Sequence, residues 1–192
     1  MAFPRITELA HEIVARFLHP GDHAVDATVG NGHDTRFLAE QVGRTGRVDG
    51  FDIQAEAIAA TRRSLNALGE APQVRLHLLG HERMREIITT PVSAVLFNLG
   101  YLPSGDRSLV TRPDSTQIAL ESSWDLLSPG GILSVVVYPG HEGGREEASQ
   151  VEGWFARVAR SRHRVFRCGP AFPGTSAESP YLLAAERRKQ DD

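Results

Sequence analysis

Short apolar, β-branched segments alternate along this chain with segments of helical apolar spacing, and that alternation restricts the fold more than any other feature. Ile6, Leu9, Ala10, Ile13, Val14 and Phe17 follow a helical period, with Thr7 as the expected N-cap and His19-Pro20-Gly21 as the stop. Strands are predicted at 23–27, 47–52, 73–79, 93–97 and 132–138. Helices fall between them at 34–42, 55–68, 81–88 and 114–127, and one more follows at 145–160. Gly43 and Gly69 are placed to close two of these helices, and Ser128-Pro129-Gly130-Gly131 to close a third. Strands joined by helices make right-handed crossovers and a mostly parallel sheet. Two closing strands, 164–168 and 181–185, have too short a connection for a helix crossover, so they pair antiparallel. The expectation is one α/β domain over 1–192: a seven-stranded, mostly parallel sheet with one antiparallel strand, helices on both faces, and residues 1–19 packing a helix on the core.

A chain of 192 residues can bury such a core without metal or disulfide staples. No apolar run reaches the roughly 18–20 residues that span a bilayer, so no membrane partner is expected. Cys168 is the single cysteine, which excludes an internal disulfide and suits a reducing cytoplasm. The formal net charge of −3 argues against a generic nucleic-acid coat. Arg160, Arg162, Arg164 and Arg167 nevertheless lie close together, either as a solvated face or as a phosphate-contacting patch. A homodimer would enlarge that basic surface and is carried as an expectation.

Open α/β sheets bind ligands at the carboxyl ends of their strands. After the first strand the chain runs Asp26-Ala27-Thr28-Val29-Gly30-Asn31-Gly32-His33-Asp34. Gly30 and Gly32 let the backbone approach a ligand closely. A dinucleotide fingerprint would place a third glycine at 35, where Thr35 stands. Asp34 at the start of the next helix would repel a pyrophosphate but suits a cationic amino-acid group, as does Asp26. This points to S-adenosylmethionine (SAM) and a Rossmann-like class I methyltransferase fold. Asp52 ends the second strand 20 residues after Gly32, the spacing at which a carboxylate accepts both ribose hydroxyls; the alternative role is a cap for the following helix. Gln54 is the next residue in reach of a nucleoside. Gly80-His81 closes the third strand, where His81 either meets the adenine or caps a helix.

The fourth strand ends Phe97-Asn98-Leu99-Gly100-Tyr101-Leu102-Pro103. An Asn side chain there can accept an amine's protons and aim its lone pair in line with a methyl–sulfur bond, and alignment supplies much of the catalysis. Tyr101 is a candidate for stacking on a base. The fifth strand ends Tyr138-Pro139-Gly140-His141, where Tyr138 would orient a substrate and His141 would take its proton. The eight histidines show no zinc spacing, so no metal is expected, and both Gly-x-Ser-x-Gly and a Walker loop are absent.

These blocks, Asp26 to Thr35, Phe51 to Gln54, Phe97 to Pro103 and Tyr138 to His141, resemble in order the small rRNA methylase family. Members of that family have been assigned as tRNA methyltransferases of the wobble uridine. They methylate the amine of 5-aminomethyl-2-thiouridine. The resemblance implies SAM as cofactor, S-adenosylhomocysteine (SAH) as product, and a tRNA anticodon loop as partner. It also implies cofactor contacts from Asn31, His33, Asp52, Gln54, Gly80 and His81. The chain departs from the family pattern at Ser104 and Pro139. Three other readings fit the same residues: a methyltransferase for rRNA or a small molecule, a non-catalytic nucleoside- or RNA-binding module, and a nicotinamide dehydrogenase.

Overall fold

The computed structural model describes residues 3–67, 71–100, 110–161, 163–170 and 179–189. Its elements run α1 (Ile6–Val14), β1 (His23–Asp26), α2 (His33–Val42), β2 (Arg47–Asp52), α3 (Ala55–Ala67), β3 (Val74–Leu78), a 3₁₀ helix (His81–Glu86), β4 (Val92–Asn98), α4 (Pro113–Leu126), β5 (Leu127–Val137), α5 (Gly144–Arg160), β6 (Arg164–Cys168) and β7 (Tyr181–Glu186). The strands form one sheet in the order β3-β2-β1-β4-β5-β7-β6. The first five pair in parallel, and β7 is antiparallel to both β5 and β6. The chain winds outward from β1 to β3, then returns to lay β4 against the other side of β1. The order therefore reverses between β1 and β4, and the crevice above that pair is where such sheets hold their ligands.

Alternation along the strands builds two cores. Val25, Val95, Phe97, Leu133 and Val135 point to the face covered by α4, α5 and the 3₁₀ helix. Ala24, Val48, Ala94, Leu96 and Ile132 point to the opposite face, under α2 and the chain around Val14 and Leu18. Helix α1 also seats Ala10, Leu9 and Ile6 against Val136, Leu182 and Tyr138, which brings it to the carboxyl end of β5. No helix among the described residues is long and apolar enough to cross a membrane.

Three local expectations are corrected. The N-cap of α1 is Arg5 and not Thr7, because the Glu8 carboxylate accepts the Arg5 amide at 2.8 Å and starts the helix earlier. The short helix read at 81–88 is a 3₁₀ helix and ends two residues earlier, at Glu86. Ser128 to Gly131, read as a helix stop, belongs to β5. Its backbone is drawn into pairing by Arg187, whose amide donates to the Gly131 carbonyl at 2.9 Å. The Arg187 guanidinium also donates to the carbonyls of Trp124, Asp125 and Leu127 at 2.8, 3.0 and 2.6 Å. It closes the end of α4 with a positive charge, where the helix dipole is negative. Arg187→Ala is expected to cost about 2 kcal/mol, the scale of charge-assisted bonds to one cation. A fall in Tm of about 4–8 °C in thermal unfolding would bear that out; an unchanged Tm would refute it.

Candidate active site

At the reversal point the loop after β1 is fastened to both neighbouring strands. The Gly30 amide donates to Asp52 Oδ2 at 2.8 Å, and the Val29 amide to the Phe51 carbonyl at 3.0 Å. On the other side the Asn98 amide donates to Thr28 Oγ1 at 2.7 Å. Gly30 and Gly32 have φ of 51° and 80°, in the left-handed region. A side chain at Gly32 would also meet Thr61 at 2.6 Å, so Gly32 lets α3 pack against the loop. Asn31 and His33 are exposed on its crest.

Three carboxylates gather beneath this loop. Asp26 is fully buried; it accepts the Thr28 amide at 3.1 Å and the Thr35 hydroxyl at 2.5 Å. Burial, with the charges of Asp34 and Asp52 nearby, pushes its carboxyl up to about 7. A carboxyl raised this way favours the folded state at low pH and loses that contribution as pH rises through 7. Asp52 accepts the Gly30 amide on one oxygen and the Gln54 amide on the other, at 2.8 and 2.9 Å. Each oxygen keeps a further lone pair for a hydroxyl. Asp52 thus holds the turn into α3, while Gln54, whose carbonyl accepts the Ile58 amide, stands at the helix N-cap. Gln54 itself is buried. The crevice is negative, which suits a cationic nucleoside and opposes a pyrophosphate.

His81 is buried and stands against Phe97, ring centroids 5.5 Å apart. Its Nδ1 lies 3.2 Å from the Ala27 carbonyl. A carbonyl only accepts, so Nδ1 carries the proton and, in the neutral ring, Nε2 the lone pair. Burial holds the ring below the usual histidine range, in the neutral form. His81 therefore ties the end of β3 to the end of β1. Gly80 precedes it, and a side chain there would strike the Glu82 carboxylate at 2.4 Å.

The acceptor side is built around Asn98. Its Nδ2 donates to Asp34 Oδ2. The other Asp34 oxygen accepts from His11 Nε2 at 2.6 Å. Asn98 Oδ1 is buried and has no hydrogen-bond partner among the described residues. An orphaned buried acceptor costs about 1–3 kcal/mol, so it is kept where a donor arrives from outside. Tyr138 is half-buried, and burial together with the Asp34 charge pushes its phenol up. His141 Nδ1 is 2.9 Å from the Glu142 carbonyl, which again leaves the neutral ring's lone pair on Nε2. That edge packs beside Gly100: a side chain at Gly100 would meet Tyr138 and His141 at 3.7 and 3.8 Å. The structure thus brings Asn98, Tyr138 and His141 together; Tyr101 lies outside the described residues.

Two contributors escaped the sequence reading. His11 gave no signal because its partner Asp34 is 23 positions away. Glu147, in the first turn of α5, is buried and accepts the hydroxyls of Thr111 and Thr116 at 2.7 and 2.6 Å. Thr111 in turn receives the Gly100 amide at 2.9 Å, so Glu147 braces the stem of the β4–α4 connection. Two of the four arginines of the basic patch, Arg164 and Arg167, are paired; Arg162 lies outside the described residues. Arg164 faces Glu186 at 3.6 Å, Arg167 faces Glu152 at 3.5 Å, and Arg157 faces Glu121 at 3.5 Å. Among the described residues no group of His, Cys, Asp or Glu could hold a metal ion.

Residues 48–186 match the family described as "Putative rRNA methylase". The chain belongs to the rRNA methylase family. A crystal structure from this family, a putative rRNA methylase of Clostridium thermocellum, is 42% identical and superposes with a TM-score of 0.91, covering 97% of this chain and 100% of that one. A putative methyltransferase from Streptococcus mutans, solved in complex with SAH, is 32% identical with a TM-score of 0.86, covering 97% and 99%. The chloroplastic tRNA (mnm5s2U34)-methyltransferase of Arabidopsis thaliana is 42% identical over 160 residues, which are 78% of this chain and 58% of that protein. The chain therefore spans less than two thirds of that curated relative. The rRNA methylase family is one of class I SAM-dependent methyltransferases, and both the sheet order and the SAM cofactor hold for this member of it.

Proposed function

We propose that this member of the rRNA methylase family is an N-methyltransferase acting on the aminomethyl group of 5-aminomethyl-(2-thio)uridine at the tRNA wobble position. The observation that carries the reading is Asn98 Oδ1, a buried acceptor without a partner among the described residues at the switch point of the sheet. SAM, when bound, supplies a sulfonium methyl to an amine lone pair: the N–C bond forms as the C–S bond breaks, and SAH leaves with that electron pair. Asp52 would hold the ribose diol. Asp26 and Asp34 would supply the negative potential that favours the cationic cofactor. Gly30, Asn31, Gly32, His33, Gln54, Gly80 and His81 would shape the rest of its seat.

The chain's remaining work is done on the amine. A primary alkyl amine is mostly protonated near neutrality, by analogy with lysine at about 10.4. Asn98 Oδ1 accepts one N–H and fixes the direction of the nitrogen lone pair. His141, with its lone pair on Nε2, takes the surplus proton. Tyr138 borders the same space. A wobble base lies in a single-stranded loop and can be splayed into such a crevice with little unpairing. The resemblance to the Arabidopsis tRNA (mnm5s2U34)-methyltransferase supports tRNA over other amines.

The test is transfer of labelled methyl from SAM into tRNA carrying 5-aminomethyl-2-thiouridine, into rRNA and into the free nucleoside, followed by nucleoside mass analysis. Methylaminomethyl product in tRNA alone supports the reading, and its absence there overturns it. The pairing of Arg164 and Arg167 with glutamates favours a second reading, a substrate smaller than RNA. Equal turnover of the free nucleoside would select that one. SAH should also raise the Tm while NAD leaves it unchanged; stabilisation by NAD would return the dehydrogenase reading.

A further inference from the structure

The Asn98 carboxamide can face the crevice either way round. Its two ends have nearly the same shape, so only hydrogen bonding decides which end points inward. The decision lies with Asp34. A carboxylate only accepts, so it draws the Nδ2 end of Asn98 towards itself and leaves Oδ1 on the other side. Asp34 is itself held. It is 6% exposed, and its second oxygen accepts from His11 Nε2 at 2.6 Å. His11 cannot swing away easily, because its ring stacks on Phe37 with centroids 4.0 Å apart and planes 3° from parallel. Phe37 is one turn beyond Asp34 on α2, so His11 grips two neighbouring side chains of one helix face. The main chain of Asn98 is fixed separately by Thr28.

We infer that His11 is a positioning residue for methyl transfer: through Asp34 it fixes the Asn98 carboxamide with Oδ1 facing the amine. The inference rests on the proposed role of Asn98 as amine acceptor. It makes α1 part of the active site. That helix lies outside the 48–186 span on which family membership rests. Its seat on Val136, Leu182 and Tyr138 places it over the same strand end as the amine. A packing role alone would be served by the Phe37 stack. It would not require the ring nitrogen to spend its proton on a nearly buried carboxylate.

The chain has three asparagines, Asn31, Asn66 and Asn98, so selective ¹⁵N-asparagine labelling gives three side-chain amide pairs. In the wild-type protein the Asn98 pair should be shifted downfield and slow to exchange. Asp34→Asn should abolish that signature, His11→Ala should weaken it, and His11→Gln, which can place an amide N–H near the Nε2 position, should restore it. With aminomethyl-tRNA as substrate, His11→Ala should lower kcat between about ten- and a hundredfold, the scale of a misaligned reacting group. KM for SAM and the affinity for SAH should stay within about twofold, since no proposed cofactor contact is lost. His11→Gln should recover most of kcat. A wild-type kcat in His11→Ala, a proportional loss of SAH affinity, or an ordinary Asn98 resonance in the wild type would each overturn the inference. If His11→Ala does not fold, the wild-type resonance and the His11→Gln kinetics still decide it. A wild-type protein that shows the Asn98 signature but methylates no aminomethyl-tRNA would sink the proposed substrate and leave the carboxamide lock standing.

Discussion

Asp49→Ala is expected to lower stability by about 3 kcal/mol and to blunt the acid sensitivity of the fold. Asp49 sits in the second strand of the parallel half of the sheet with its side chain fully buried. His23 of β1 and His77 of β3 donate to its two oxygens at 2.7 and 2.8 Å, and Arg47 approaches at 2.6 Å. One carboxylate thus clamps the three strands whose carboxyl ends carry Gly30, Asp52 and His81. Burial pushes the Asp49 carboxyl up, but the hydrogen bonds from His23, His77 and Arg47 and the Arg47 charge outweigh it. The net result holds the group well below the usual carboxylate range. Removing one partner of a buried pair costs about 3–5 kcal/mol. The lower end applies here, because Arg47 and both rings reach water and can be solvated again. For a chain of this length that is a fall in Tm of about 6–12 °C.

The pH dependence has a definite sign. A depressed carboxylate contributes stability above its unfolded value, about 3.9, and loses it as pH falls towards its folded value. Wild-type Tm should therefore drop steeply below about pH 4, and Asp49→Asn should drop less over the same range. Parallel Tm curves for the two proteins between pH 5 and pH 2.5 would show that Asp49 is not the group responsible. The cofactor crevice should respond as well. Loosening β1, β2 and β3 should weaken SAH binding even though Asp49 lies away from the strand ends.

This clamp was legible only as an oddity, an acid in the middle of a predicted apolar strand. Its two histidine partners come from positions 26 and 28 residues away, which no periodicity reveals. The strands themselves read well: 47–52 and 164–168 fall on β2 and β6, because apolar alternation between turn residues is a local signal. The closing antiparallel pair was legible from the short connection alone. What failed locally did so where a distant group overrode turn chemistry, as Arg187 does for Pro129-Gly130-Gly131. At the site, residues on strand-end loops were legible because topology fixes where those loops go. Asn98 was found that way, while the His11–Asp34 contact that orients it spans two helices and depends on how α1 docks.

Asp52→Ala should abolish measurable SAH binding, while Asn98→Ala should leave binding intact and slow methyl transfer. The two residues end β2 and β4, on opposite sides of β1, so the crevice separates their duties. A ribose diol donating twice to the Asp52 carboxylate gains about 1.5–3 kcal/mol per bond. Losing both raises Kd on the order of 10²–10⁴-fold, and the SAH-induced rise in Tm should vanish. Asp52 also holds the Gly30 and Gln54 amides, so part of the loss could come from a loosened loop. Asp52→Glu separates the effects: a carboxylate on a longer stem can still hold a loop amide but misplaces the diol. Asn98 has a different expectation, because among the described residues its partners are Asp34 and Thr28 and Oδ1 has none. Without that oxygen the amine binds but is not aimed, and kcat should fall by about 10²–10³-fold with SAH affinity unchanged. Asp34 would then keep its bond to His11 and lose only Asn98, so the variant should fold normally. Equal loss of SAH binding in both variants would mean that Asn98 belongs to the cofactor seat, and that the amine is aimed by another group.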